Sequence, residues 1–190
     1  MIRFCFTILL AISLADIYAQ GNFYPSSSIP GELKKNANSV VREERILFDL
    51  RSPDKAYYKV HKVVTVLNEA GKSELLFYDF TDKFSSLDEL AIEVFDNKGN
   101  SKNKYGKEDL TKQTAGEGLV PDGKIYYLNV PTLTYPVTIQ VDYTEKFTGI
   151  LNYPDYAVQV PEQAVERSVF VARVPADLDL RYKAKNTSLF

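Results

Sequence analysis

The segment LTYPVTIQVDYTEKF, residues 133–147, alternates apolar and polar side chains along most of its length. Alternation with a period of two predicts a β-strand with one buried face and one polar face. Only Glu145 interrupts the apolar set. A shift of one residue in pairing would turn the whole apolar set towards water, so this strand specifies its two faces strongly.

Shorter runs of the same kind lie on both sides of this segment. The predicted strands are 45–50, 57–67, 73–80, 90–95, 102–105, 124–130, 133–147, 165–174 and 177–182. Turn residues separate them, and no stretch of a dozen residues has helical apolar spacing. The sequence therefore predicts an all-β fold with minor helical turns, an antiparallel β-sandwich of about eight or nine strands.

Two pairs of these runs are separated by short segments that contain glycine. Asn68-Glu69-Ala70-Gly71 separates 57–67 from 73–80, and Asp96-Asn97-Lys98-Gly99-Asn100 separates 90–95 from 102–105. Asn and Gly tolerate the backbone angles of tight turns, so both pairs are expected to form β-hairpins. The polar stretch 107–118 is expected to be a loop.

The N-terminus has the pattern of a secretory signal peptide. Arg3 precedes an apolar run over 4–14, which is too short to span a bilayer, and Ala19 offers a cleavage point before Gln20. We expect a signal peptide over 1–19, an exposed lead-in over 20–39, the β-sandwich over 40–186 and the start of a linker over 187–190. The protein is thus expected to be exported, periplasmic or extracellular, with no transmembrane segment.

Composition excludes several function classes. A formal net charge of −2 gives no electrostatic reason to expect nucleic acid as a partner. Cys5, the single cysteine, would leave with the signal peptide, so the mature domain is expected to be cysteine-free. His61, the single histidine, is expected to be a half-exposed strand residue. No nucleophile and base can be paired, so we expect no catalytic residues, no metal site and no cofactor.

One segment has the residues of a binding loop. The crossover 149–161 contains Tyr153, Asp155 and Tyr156, and tyrosines supply rigid contact area with a polar tip. These three residues are the candidate ligand-binding set. The alternative is that both rings pack over the open end of the sandwich.

Several motifs resemble those of one exported domain family. They are LNEAGK at 67–72, FDNKG at 95–99, TYPVTIQVDY at 134–143, and Val174-Pro175 followed by LRYK at 180–183. Over about 40–186 the chain resembles the uncharacterised β-sandwich, a domain of unknown function, found N-terminal to transglutaminase-like domains in Gram-negative secreted proteins. The resemblance implies that a domain with a Cys–His–Asp set follows in the full-length protein. It supplies no functional residues for this segment.

Two functions are compatible with these observations. The first is a non-catalytic accessory or interaction domain of an exported transglutaminase-like protein, whose partner is the downstream domain. The alternative is a stand-alone secreted binding or adhesion module for glycan, cell-wall or protein ligands.

Overall fold

The computed structural model describes residues 24–115, 123–132, 134–149 and 155–177, and these form ten strands. The strands are β1 Ser39–Ser52, β2 Lys55–Val66, β3 Leu76–Thr81, β4 Ser85–Phe95, β5 Ser101–Gly106, β6 Thr111–Ala115, β7 Gly123–Asn129, β8 Val137–Phe147, β9 Gln163–Val165 and β10 Ser168–Arg173. The predicted all-β class is confirmed. The only helical elements within the described ranges are short 3₁₀ segments at Ser26–Ser28, Gly31–Lys34, Glu69–Leu75 and Lys107–Asp109. None of the described residues forms a helix long and apolar enough to cross a membrane.

The larger of two sheets has β8 near its centre. Its strand order is β10-β1-β2-β8-β4-β5, and β9 also pairs with β1. β8 pairs antiparallel with β2 on one side and with β4 on the other, so the strand with the clearest alternation organises the sheet. β9 and β10 pair with β1 in parallel, whereas the other pairings among the described strands are antiparallel.

The smaller sheet has the order β3-β7-β6 and corrects two predictions. β6 lies within the stretch that was expected to be a loop, because its polar sequence TKQTA has no apolar alternation to indicate a strand. The hairpin expected between 57–67 and 73–80 does not form. β2 pairs with β1 and β8, whereas β3 pairs with β7 in the second sheet.

The 3₁₀ segment Glu69–Leu75 explains why that hairpin is absent. The Asn68 side chain accepts a hydrogen bond from the Ala70 N–H, which starts a helical turn rather than a tight reversal. Gly71 lies against the backbone of Asn38, the residue before β1. A Cβ atom at position 71 would be 2.4 Å from the Asn38 carbonyl oxygen. The close approach requires glycine, and the segment carries the chain from one sheet to the other.

The second predicted hairpin is confirmed, since β4 and β5 pair antiparallel. The Asp96 carboxylate accepts hydrogen bonds from the backbone N–H groups of Lys98 and Asn100, both at 2.9 Å. Gly99 has a φ of 86°, a left-handed conformation that glycine adopts without strain. Hydrogen bonds that Asn100 donates to the charged Asp96 carboxylate hold the pKa of Asp96 well below its usual value.

The apolar core lies between the two sheets. Ile92 of β4 and Ile139 of β8 are buried on the inner face of the large sheet, and Phe77 of β3 belongs to the same cluster. The other face of the large sheet is covered in part as well, because Thr65 and Thr138 are fully buried and hydrogen-bonded to each other at 2.9 Å.

The described part of the lead-in, 24–38, is attached to the large sheet through Arg42. Strand β1 is irregular at this residue, and the guanidinium donates to Ser28 Oγ at 2.8 Å and to the Pro25 carbonyl. It also forms a 2.7 Å ion pair with Glu166, which follows β9. One buried cation thus joins the lead-in, β1 and the β9–β10 connection.

Arg42→Ala is expected to lower the free energy of unfolding by about 2 kcal/mol, because it removes the hydrogen bonds that the charged guanidinium donates to Glu166, Ser28 and Pro25. The Arg42 side chain is only 6% exposed. Urea denaturation followed by circular dichroism measures the change. Arg45→Ala is the matched control, since Arg45 is 54% exposed in its pair with Glu43 and should cost less than about 1 kcal/mol. Equal losses in both variants would contradict the joining role of Arg42.

Candidate functional site

A cavity of about 380 Å³ lies between the inner face of the large sheet and the chain around β3. One wall consists of alternate residues of β2 and β8, among them Tyr58, Val60 and Tyr143. Phe77 of β3 contributes to the opposite wall. The volume lies within the range of small-molecule pockets in proteins.

Strand register brings the aromatic residues of this cavity together. Val60 pairs with Tyr143 and Tyr58 pairs with Glu145, so these side chains share one face of the sheet. The rings of Tyr58 and Tyr143 are 6.5 Å apart, and Phe77 meets Tyr143 edge-on at 5.5 Å. The aromatic wall therefore arises from two sheets and from positions far apart in the sequence.

Two of the three predicted ligand-binding residues line the cavity. Asp155 and Tyr156 lie on its wall, whereas Tyr153 is outside the described residues. The Tyr156 hydroxyl is 2.5 Å from Ser168 Oγ, which donates to the Glu44 carboxylate at 2.6 Å. The Tyr156 ring also stacks on Phe170 at 5.0 Å. Packing fixes this ring in the wall, and its part in binding stays a prediction.

A buried pair of carboxyl groups lies next to the cavity. Asp79 of β3 and Glu145 of β8 face each other across the sheets within hydrogen-bonding reach, and Asp79 is only 6% exposed. The Oδ2 atom of Asp79 has no hydrogen-bond partner among the described residues. Burial of a carboxylate without a cation is costly, so this pair retains a proton.

The protonation states follow from this burial. Burial, and then the charge of Asp79, raise the pKa of Glu145 to about 8, and burial also raises the pKa of Asp79. Burial raises the pKa of Tyr58 to about 12, and that of Tyr143 is raised for the same reason. Nearby acidic groups, among them Glu145 and Glu44, raise both pKa values further.

Sequence reasoning could have found one member of the carboxyl pair. Glu145 stands on the apolar side of an alternating strand, which is an unusual position for a charge. Asp79 carried no such signal, because LFYDFT at 76–81 has its larger apolar set at Leu76, Tyr78 and Phe80. The structure places those three residues outward and buries Asp79.

The single histidine lies away from the cavity. His61 is on the opposite face of the large sheet, where Nδ1 is 2.6 Å from Oδ1 of Asp142. Its side chain is part-buried within β2, as expected for a strand histidine. Within the described residues, no three His, Cys, Asp or Glu side chains are placed to hold a metal ion.

The pKa of Glu145 predicts how stability depends on pH. In the folded protein the carboxyl holds its proton up to about pH 8, whereas in the unfolded chain it loses the proton near its ordinary value of 4.5. The folded state binds more protons between these values, so the free energy of unfolding should fall as pH rises from about 4.5 to about 8.

Glu145→Gln should reduce this slope, because glutamine stays neutral throughout the range. Its melting temperature should match that of the native protein near pH 5 and exceed it near pH 8. Thermal melts across the range provide the measurement, and Glu93→Gln is the matched control, since Glu93 is paired with the exposed Lys104. An identical pH slope in native protein and Glu145→Gln would exclude a proton held at Glu145.

Comparisons with known proteins identify the domain type. The family model described as a domain of unknown function with solved structure, DUF3857, matches residues 53–189. A solved structure from Parabacteroides distasonis, described as a "putative protease", is similar in fold, with a TM-score of 0.51 and 12% sequence identity. The similarity covers 59% of this chain and 23% of that one. No curated protein matches the chain.

Proposed function

We propose, from the premise that the chain belongs to the DUF3857 family, that it is a non-catalytic accessory domain of an exported transglutaminase-like protein. In this role it contacts the catalytic domain of the same chain and positions it or presents its substrate. The resemblance of motifs such as LNEAGK and TYPVTIQVDY to the domain that precedes transglutaminase-like domains supports the proposal. The similarity covers 23% of the matched structure's chain. A domain of this fold is therefore found there within a longer protein, which agrees with the proposal.

The observation that carries the proposal is the outward face of the small sheet. Leu76, Tyr78 and Phe80 of β3 are 47%, 56% and 48% exposed. Ile125 and Tyr127 pair with Phe80 and Tyr78, so they lie on the same face. Two half-exposed aromatic rings and a leucine leave roughly 300 Å² of apolar surface, the size of patch that single domains commonly expose and often use for contacts.

The lining of the cavity also bears on the kind of chemistry that this segment could perform. Among the described residues, the cavity has no histidine or cysteine in its wall, and His61 lies on the opposite face of the large sheet. Nucleophilic catalysis needs a nucleophile, a base and an orienting group within hydrogen-bonding distance. In the proposed arrangement, the resemblance of motifs places the catalytic residues in the domain that we expect downstream.

The alternative function is a stand-alone secreted binding or adhesion module for glycan, cell-wall or protein ligands. The tyrosine-lined cavity with Asp155 and Tyr156 in its wall favours this alternative. Either function requires that the protein is exported, as we expect from the signal peptide over 1–19.

The accessory role predicts a defined contact in the longer protein. The coding sequence beyond Phe190 should encode a domain that contains a catalytic cysteine and histidine. When the two domains are produced separately, Leu76→Ser with Tyr78→Ser should weaken their association by about tenfold, because apolar contact area is lost. Analytical ultracentrifugation measures the association.

Val171→Ser is the matched control for this contact. Val171 is also an exposed apolar residue, but it lies on the edge strand β10 of the large sheet, so its replacement should leave the association unchanged. A downstream sequence without such a domain would contradict the accessory role. A catalytic domain that associates equally with both variants would contradict only the assigned surface.

Export predicts a specific mature N-terminus. Cleavage after Ala19 would leave a chain that begins at Gln20 and contains no cysteine. Intact-mass measurement of the exported protein tests this prediction. A secreted chain that retains Cys5 would overturn the assignment of a cleaved leader.

A further inference from the structure

We propose that the cavity between the sheets binds an organic cation, a primary ammonium or guanidinium group on an alkyl chain of the length of a lysine or arginine side chain. This inference concerns the chemistry of the cavity and holds for either of the two functions above. It rests on the aromatic walls and on the excess of acidic groups that line the cavity.

The walls of the cavity suit an alkyl chain that ends in a positive charge. Five aromatic residues line it, namely Tyr58, Phe77, Tyr78, Tyr143 and Tyr156. Aromatic faces attract cations through their negative quadrupole, and they pack favourably against methylene groups. A volume of about 380 Å³ accommodates one such side chain or a small diamine.

The charged groups of the cavity are mostly acidic. Glu44, Glu74 and Asp155 line it, and Lys62 is the one basic residue among the described lining residues. The Lys62 ammonium lies 3.2 Å from the Glu74 carboxylate, so these two charges offset each other. Among the described residues, neither Glu44 nor Asp155 forms an ion pair, and their charges remain to attract a cation.

A buried acceptor lies near the cavity but is not part of its lining. Asp79 follows the lining residue Phe77 by two positions, a step of about 7 Å along the same face of β3. Its Oδ2 atom is buried and has no hydrogen-bond partner among the described residues. A buried acceptor without a donor is costly. An anionic ligand would instead meet the carboxylates of Glu44 and Asp155 in the wall.

Isothermal titration calorimetry of the purified full-length protein tests the proposal. The cationic probes are N-acetyl-lysine methylamide, N-acetyl-arginine methylamide and cadaverine. The neutral probe of similar shape is N-acetyl-norleucine methylamide. The cationic probes should bind saturably and at least tenfold more tightly than the neutral one. Cadaverine as the tightest ligand would identify a free amine, and a tighter amino-acid derivative would identify a polypeptide side chain.

Two variants locate the binding. Glu44→Gln removes a wall charge and Tyr156→Ala removes a ring, and each should weaken cation binding by about tenfold. Glu93→Gln is the matched control, because it changes an acid on the opposite face of the large sheet, and it should bind as the native protein does. Circular dichroism melts establish that each variant is folded.

Salt dependence of the native protein gives a readout that needs no variant. Cation binding should weaken as salt is raised, whereas contact with a neutral probe should not. Equal affinity for the neutral probe, unchanged binding by both folded variants, or no saturable binding at millimolar concentrations would each overturn the proposal.

Discussion

The pairing of β8 with both β2 and β4 is the constraint on which the rest of the structure depends. Each side chain of β8 faces either the space between the sheets or the opposite face, and the apolar set occupies the inner side. Val60 and Val64 of β2 and Ile92 and Val94 of β4 then follow the same alternation, because register fixes which residues share a face. The small sheet covers only part of this surface, and the uncovered part becomes the cavity.

The mainly apolar layer between the two sheets also contains two acidic residues. Asp79 and Glu145 meet across the layer, and a retained proton removes most of the repulsion between them. The tyrosines beside them keep their protons for the same reason. A packed core would be more stable without these groups, since apolar residues of similar volume often replace buried polar ones at no cost.

Some of the fold and little of the site could be predicted from the sequence. The 90–105 hairpin was predicted correctly because Asp96 and Gly99 have local turn geometry that neighbouring residues alone determine. The prediction of a hairpin after β2 was wrong because glycine is required at position 71 by a close contact with the Asn38 carbonyl, which is distant in sequence, and not by a local turn. Within the candidate site, the composition of the crossover loop indicates Asp155 and Tyr156. Tyr58, Tyr143 and the neighbouring Asp79 lie in ordinary strand sequences, and local pattern does not distinguish them as site residues.

The sequence by itself determined that the chain is a β-protein, since period-two alternation over 133–147 has no stable helical counterpart. It also determined that one side of β8 is buried with Glu145 on it. Only the tertiary structure decided that β3 turns Leu76 and Tyr78 outward and Asp79 inward. Alternation within a strand divides residues into two sets, but which set faces the core depends on the sheet that the strand joins. That choice rests on contacts between residues far apart in the chain, which local pattern does not contain.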